Sequence, residues 1–185
     1  MPFNFKKLKI PEVVVIEAKA FSDERGVFFE GFKESDFISN DIYAKFVQDN
    51  ISHSTKNVLR GLHYQKNPKA QAKLVIPING RIFDVAVDIR KGSPSFGKWV
   101  GETLSEDNHK FMFVPEGFAH GFCVLSEQAD VLYKVSNEYS FENERGINWN
   151  DPSLEITWPI QNPILAKRDL EFPMLDDIDN NFSYE

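Results

Sequence analysis

Short strand-like segments follow one another from Val13 to Val135, and this feature restricts the possible folds more than any other. Turn residues such as "EDNH", "PEG" and "SEQA" separate the segments, and only "KESDFISNDIY" has a brief helical pattern. Many short strands in a compact chain favour a sandwich or a barrel. The sequence therefore predicts an all-β protein, and we expect the jelly-roll form, a double-stranded β-helix.

The stretch "KLVIPINGRIFDVAVDIR" carries the strongest local turn signal. Its Asn79-Gly80 dipeptide lies between two strand-like runs and suits a type I′ turn, which needs positive φ at both central residues. This pattern predicts a β-hairpin. In the second run, apolar residues alternate with Asp84 and Asp88, which is typical of a sheet buried on one side only.

Beyond Ser140 the sequence becomes irregular and rich in proline, aspartate and asparagine. We expect this C-terminal segment to wrap around the sandwich, with a short helical turn at Lys167–Leu170. The hydrophobic content of 42%, with 17 phenylalanines, can fill one sizeable core in a chain of 185 residues. We therefore expect residues 1–185 to form a single domain.

Composition and charge exclude several classes of partner. No segment approaches the roughly 20 apolar residues of a membrane span, so we expect a cytoplasmic protein without a membrane partner. The formal net charge of −7 argues against nucleic-acid binding, because the summed field repels polyanions. An anionic ligand would have to be met by a few local cations. The candidates are Arg25, Arg60, Lys73 and Lys167.

Thiol and metal chemistry are not expected. The single cysteine, Cys123, lies in the apolar run "GFCVL", where a small buried side chain is a better interpretation than a nucleophile. Metal-binding β folds of this type often present a closely spaced histidine pair, and no His-x-His sequence occurs here. A metal site is therefore not predicted, although His63 and His120 could meet in space.

The stretch "RGLHYQ" places two polar residues inside a predicted strand. Alternation puts Arg60 and His63 on opposite faces, but a bulge at Gly61 would bring both to one cavity. Tyr133 shares a face with Val131, so its phenol should point into the sandwich. Each ring could instead be an ordinary structural residue with a satisfied hydrogen bond.

Nine stretches together carry a resemblance that no single motif provides. The chain closely resembles the dTDP-4-dehydrorhamnose 3,5-epimerase family from about Val13 to Asp169. The matching stretches are "FSDERGVFFEGF", "FVQDNISHS", "VLRGLHYQ", "AQAKLV", "GRIFDVAVDIR", "SPSFGKWVGETLS", "VPEGFAHGFCVLSE", "YKVSNEYS" and "GINWNDPSLEITWP". The resemblance implies a metal-free cupin-like jelly roll and a homodimer.

The resemblance also implies the reaction and its main residues. The expected activity is that of a cofactor-independent isomerase, which inverts C3 and C5 of a dTDP-linked 4-keto-6-deoxy sugar through an enolate. The product would be dTDP-4-dehydro-L-rhamnose, for a surface polysaccharide. By resemblance, His63 is the base and Tyr133 the opposing acid. Asp169 orients His63, and Lys73 either faces the enolate oxygen or lowers the pKa of Tyr133.

The remaining family positions are expected to contact the ligand. Arg25 and Arg60 would meet the diphosphate or the polar rim, and His120 is an alternative to Lys73 at the enolate oxygen. Because the N-terminal region of the family reaches a neighbouring subunit, Arg25 and Glu30 are expected to act on that subunit's site. The other expected contacts are Gln48, Asn50, Tyr139, Glu144 and Lys167.

Other functions remain open at this point. A relative on the same scaffold could epimerise one carbon only, or move the ketone of another nucleotide sugar. A catalytically silent nucleotide-sugar-binding protein and a metal-dependent cupin belong to different classes. The presence of His63, Tyr133 and Asp169 together disfavours the silent protein.

Overall fold

The computed structural model describes residues 2–184, and strands dominate this part of the chain. Two short helices are α1 (Glu34–Ile38) and α2 (Lys167–Leu170), and a 3-10 turn covers Leu175–Asp177. The strands are β1 (Phe3–Lys7), β2 (Val14–Ala18), β3 (Phe21–Asp23), β4 (Gly26–Phe28), β5 (Gln48–Thr55), β6 (Leu59–Gln65), β7 (Lys73–Asn79), β8 (Arg81–Asp88), β9 (Trp99–Ser105), β10 (Lys110–Val114), β11 (Phe118–Val124), β12 (Gln128–Val135) and β13 (Glu144–Gly146).

Two antiparallel sheets face each other. The six-stranded sheet has the order β1-β2-β10-β7-β12-β5, and the five-stranded sheet has the order β13-β6-β11-β8-β9. Strands β3 and β4 form a separate two-stranded ribbon. From β5 onward the chain mostly alternates between the two large sheets, as in a jelly roll. The all-β prediction is confirmed.

The predicted hairpin at Asn79-Gly80 is wrong. Strand β7 pairs with β10 and β12, whereas β8 pairs with β9 and β11, so the two strands belong to different sheets. Of the two residues, only Gly80 has a positive φ, at 77°. A Cβ on Gly80 would lie 2.2 Å from the Gln128 carbonyl oxygen, so the corner packs tightly against the start of β12. The dipeptide therefore marks a crossing between sheets.

The expectation that β8 is buried on one side only is also wrong. Val85 and Val87 face outward but are fully buried, because the C-terminal segment covers them with Leu154, Leu175 and Phe182. As predicted, this segment wraps the sandwich and forms a helical turn at Lys167–Leu170. The alternate face of β8 points between the sheets. Its aspartates, Asp84 and Asp88, are both 0% exposed.

The space between the sheets is apolar over most of its length. Residues from both sheets fill it, including Val75 and Met112 on one side and Ile82 and Phe122 on the other. Tyr133 is partly buried and packs against this cluster, so its phenol points inward as predicted. Next to Tyr133 the interior is lined mostly by polar side chains, and the cavity described below lies there. Within residues 2–184, no helix is long and apolar enough to cross a bilayer.

Candidate active site

A bulge in β6 brings Arg60 and His63 to the same face, as the sequence predicted. His63 lies opposite His120 on β11 and Arg60 lies opposite Phe122, so two residues of β6 face only Gly121. Gly61 has φ of 138°, a conformation that side-chain-bearing residues rarely adopt. A Cβ on Gly61 would also lie 2.6 Å from the Gly121 Cα, so only glycine fits here.

A cavity of about 420 Å³ opens between the two sheets beside this bulge. His63 reaches it from the five-stranded sheet, and Tyr133 reaches it from the six-stranded sheet. The imidazole and the phenol therefore enter from opposite walls. The lining residues are Gln48, Asn50, His63, Tyr64, Gln65, Gln71, Lys73, Tyr133, Tyr139, Glu144 and Arg168.

Asp169 on α2 orients the His63 ring. His63 Nε2 lies 2.9 Å from Asp169 Oδ1, and the Gly61 backbone N–H donates to Oδ2 at 3.2 Å. Burial opposes ionisation of Asp169, but the hydrogen bonds from His63 and Gly61 and the charges of His63 and Arg168 together outweigh it and lower the Asp169 pKa. An ionised carboxylate only accepts hydrogen bonds, so Nε2 carries the proton and Nδ1 keeps its lone pair.

His63 is held as a neutral base. Burial lowers the pKa of His63 below its usual value of 6.5, and the Asp169 hydrogen bond offsets this only in part. The edge of the Phe172 ring lies against the imidazole, with 5.6 Å between ring centroids. A neutral imidazole with a free Nδ1 can accept a proton at neutral pH.

Tyr133 on the opposite wall keeps its proton. Burial raises the pKa of Tyr133 above its usual value of 10, while the charges of Arg60 and Arg168 act in the other direction. Lys73 is not among the cations that act on this pKa. The role of Lys73, at the enolate oxygen or beside the phenol, stays a prediction.

Lys73 is buried at the inner end of the cavity. Its Nζ donates to the His63 carbonyl oxygen at 3.4 Å. Burial lowers the pKa of Lys73 to about 8, while the negative charges of Asp84 and Glu144 act to raise it. A lysine with this pKa is still mostly an ammonium at pH 7.

The outer rim contains a polar cluster around Glu144. The Tyr139 hydroxyl donates to Glu144 Oε2 at 2.8 Å, and Arg168 Nη1 donates to the same oxygen at 2.9 Å. Gln48 Oε1 accepts from the Tyr139 backbone N–H at 2.9 Å. Gln48 Nε2 donates to Asn50 Oδ1 at 2.8 Å. These groups hold one another in place at the mouth of the cavity.

Arg168 lies at the cavity, where a contact of Lys167 with the ligand was predicted. The Lys167 side chain is 90% exposed and lies near Glu171, whereas Arg168 lines the cavity and its Nε is 3.3 Å from Asp169 Oδ1. Neighbours on a helical turn point about 100° apart, so only one of them can face the cavity. The resemblance pointed to Lys167, and Arg168 was not predicted. Gln65 and Gln71 also line the cavity and were not predicted.

Besides Lys167, four predicted ligand contacts lie outside the cavity lining. Arg25 is exposed on the β3–β4 ribbon and pairs with Asp23, and Glu30 is half-buried after that ribbon. Their action on a neighbouring subunit stays a prediction. Arg60 Nε donates to Ser54 Oγ at 3.0 Å. His120 is buried next to His63, on the neighbouring strand β11.

The histidine pair suggested from the sequence does meet, as cross-strand neighbours on β6 and β11. Each ring has its own carboxylate partner, Asp169 for His63 and Asp84 for His120. Across residues 2–184, no cluster of three or more histidine, cysteine, aspartate or glutamate side chains is arranged to hold a metal ion. Cys123 is buried as predicted, and burial raises the pKa of its thiol to about 12.

The fold and the cavity define an acid–base enzyme on a cupin-like jelly roll, with an oriented imidazole and a protonated phenol on facing walls. The family model for dTDP-4-dehydrorhamnose 3,5-epimerase matches residues 7–177. The chain belongs to this family.

Relatives and solved structures agree with this assignment. The dTDP-4-dehydrorhamnose 3,5-epimerase of Shigella flexneri is 53% identical over 179 residues, covering 95% of this chain and 98% of the relative. A Legionella pneumophila 3,5-epimerase in complex with dTDP-4-keto-L-rhamnose has a TM-score of 0.92 and 46% identity, covering 96% and 95% of the two chains. A 3'-monoepimerase from Streptomyces bikiniensis with dTDP-quinovose has a TM-score of 0.86 and 32% identity, covering 91% and 86%.

Proposed function

We propose that this protein is a dTDP-4-dehydrorhamnose 3,5-epimerase, an isomerase that inverts C3 and C5 of dTDP-4-dehydro-6-deoxy-D-glucose. The product is dTDP-4-dehydro-L-rhamnose, a precursor of dTDP-rhamnose for polysaccharide biosynthesis. The observation that carries the proposal is the pair of rings, His63 and Tyr133, facing each other across one cavity. Membership of the epimerase family supplies the substrate class.

In this proposal His63 begins each inversion. A hydrogen on a carbon next to a ketone becomes acidic when the enolate that remains is stabilised. His63 Nδ1 accepts that proton, and the electron pair of the broken C–H bond moves into the enolate. Asp169 stabilises the imidazolium that forms, because its carboxylate already accepts the Nε2 hydrogen bond.

Tyr133 completes the inversion from the other side. Its hydroxyl delivers a proton to the face of the carbon opposite His63, and the enolate collapses back to the ketone. The charges of Arg60 and Arg168 favour the phenolate that Tyr133 becomes at that moment. Lys73 stabilises the enolate oxygen, since it is the ammonium that lines the cavity. The chemistry is proton transfer alone, so the reaction needs no cofactor.

The same proposal includes the binding roles and the assembly. Gln48, Asn50, Tyr139, Glu144 and Arg168 form the rim that would contact the nucleotide and sugar. We propose a homodimer in which the β3–β4 ribbon reaches the neighbouring cavity, bringing Arg25 and Glu30. The exposure of Val27 and Phe28 on this ribbon, at 56% and 66%, supports a partner surface there. Residues 1–185 are proposed to fold as one domain and to act in the cytoplasm, where a charged nucleotide sugar is retained.

Incubation of the purified protein with dTDP-4-keto-6-deoxyglucose in D₂O tests the function. A double epimerase exchanges both carbon-bound hydrogens next to the ketone, which mass spectrometry counts and NMR assigns. Activity that survives a chelator excludes the metal-dependent alternative. Absence of any exchange would contradict the proposal and favour the silent binding protein.

A second candidate is epimerisation at one carbon only. The 32% identity with a 3'-monoepimerase favours it, since that relative has the same fold. Incorporation of one deuterium, with inversion at a single carbon, would establish this function. A ketone moved to C3 without inversion would instead establish a ketoisomerase.

A further inference from the structure

Asp84 is a buried carboxylate that the mechanism above does not use. It lies on the inward face of β8 and is 0% exposed. Its Oδ1 accepts from His120 Nε2 at 2.7 Å, while Oδ2 has no hydrogen-bond partner among the side chains and backbone of residues 2–184. A buried carboxylate with one unsatisfied oxygen costs stability. Packing therefore does not explain why an aspartate occupies this position.

Lys73 is a buried cation on the facing sheet, although it forms no direct ion pair with Asp84. Each of the two residues shares a strand face with members of the apolar cluster between the sheets, so both side chains point into this space, Lys73 from β7 and Asp84 from β8. Among the charges around Lys73, Asp84 has the largest influence in favour of the ammonium, and Glu144 has the second largest. Burial raises the pKa of Asp84, while the charge and hydrogen bond of His120 and the charge of Lys73 act to lower it.

We propose that Asp84 is a positioning residue that keeps the Lys73 amine protonated, so that an ammonium faces the enolate oxygen during turnover. This inference rests on the proposed epimerase function. Without a buried negative charge, an amine this deep in the protein would lose its proton near neutral pH. A neutral amine stabilises a developing oxyanion much less than an ammonium does.

The other groups around Lys73 carry no net negative charge or are already paired. From β6, His63 presents a carbonyl oxygen to Nζ, which accepts a hydrogen bond but carries no net charge. From β13, Glu144 is already paired with Arg168. From β12, Tyr133 is a neutral phenol, and from β11, His120 is hydrogen-bonded to Asp84 itself. Asp84 is the one buried carboxylate of the group that is not paired with an arginine.

The test is the pH profile of kcat for Asp84→Asn. The basic limb should move to lower pH by about one unit or more, because the opposite charge next to Lys73 is gone. At pH 8 this means a loss of roughly five- to fiftyfold relative to wild type, and at pH 6 a loss of no more than about twofold. The acidic limb, which belongs to His63, should stay in place. Asp84→Glu keeps the charge and should restore much of the basic limb.

Asp88→Asn is the matched control. Asp88 lies on the same strand and face and is equally buried, but it is bound to Arg90, Ser93 and Ser95 and not to Lys73. This variant should lose thermal stability and keep both limbs. If Asp84→Asn lowers kcat equally at every pH, or if Asp88→Asn moves the basic limb as far, the inference is overturned.

A measurement on the wild type covers the case in which Asp84→Asn does not fold. NMR of ¹³C-labelled lysine should show Lys73 titrating near pH 8. Titration below about pH 6 would overturn the inference, because Asp84 would then fail to keep the amine charged at neutral pH. A wild type that titrates as expected but turns over no substrate would contradict the proposed function instead.

Discussion

Two histidine–aspartate pairs lie side by side in this protein, and they differ in what surrounds them. His63 borders the cavity with 20% of its side chain exposed, and both oxygens of its partner Asp169 accept a hydrogen bond, one from His63 and one from the Gly61 backbone. His120 is 7% exposed, and its partner Asp84 has one oxygen without a donor. The first pair is therefore accessible from the cavity, whereas the second is enclosed by protein.

Replacing each histidine by alanine should give the largest contrast. His63→Ala removes the proposed base and should lower kcat by roughly 10³-fold, with dTDP binding retained. His120→Ala leaves both oxygens of the buried Asp84 carboxylate without a hydrogen-bond donor and should cost about 3–5 kcal/mol of unfolding free energy. Its kcat should fall less than that of His63→Ala. Equal losses of turnover, measured by deuterium incorporation at matched folded fractions, would remove the distinction between the pairs.

Asp169 and Asp84 should affect opposite limbs of the pH profile of kcat. In the wild type, kcat should need neutral His63 and protonated Lys73, so its acidic limb should lie below pH 6.5 and its basic limb near pH 8. Asp169→Asn removes a hydrogen bond that raises the His63 pKa. The acidic limb should therefore move further down while kcat drops roughly 10²-fold. If the basic limb moves instead, Asp169 and not Asp84 keeps Lys73 protonated.

Arg168 and Lys167 allow a matched test of which cation next to Asp169 contributes to substrate binding. Arg168→Ala removes a guanidinium that contacts Asp169 and Glu144, and KM should rise about tenfold through the loss of a charged hydrogen-bond donor. Lys167→Ala removes an exposed cation and should leave KM within about twofold. Steady-state kinetics with both variants decides which cation belongs to the site. An equal rise in KM for both would indicate a long-range effect of charge.

The smallest expected effect concerns the packing that holds His63. A Cβ on Gly146 would lie 2.3 Å from the Phe172 ring, which in turn contacts the His63 imidazole. Gly146→Ala should displace this ring and lower kcat a few-fold, with about 1–3 kcal/mol of stability lost. Gly31→Ala is the control, since the nearest atom to its new Cβ would be 3.9 Å away. An unchanged kcat in Gly146→Ala would show that Asp169 alone positions His63.

Local features of the site could be predicted because they depend on neighbours in sequence. The bulge at Gly61 follows from a glycine between two polar residues of a strand, and the inward direction of Tyr133 follows from alternation with Val131. The turn at Lys167–Leu170 was also predicted. The choice of Arg168 over Lys167 was not, because it depends on how the short helix docks against β6.

The sequence by itself determined the strand-rich architecture, since period-two alternation and frequent turn residues are written along the chain. It also contained the histidine, the tyrosine and the lysine that line the cavity. Only the tertiary structure decided that β7 and β8 belong to different sheets, and that Asp84 and Lys73 point into the same interior. Sheet partners and burial are set by contacts between distant segments, and a strand looks the same in sequence whichever neighbour it meets. The C-terminal segment likewise buried a face that alternation alone predicted to be open to water.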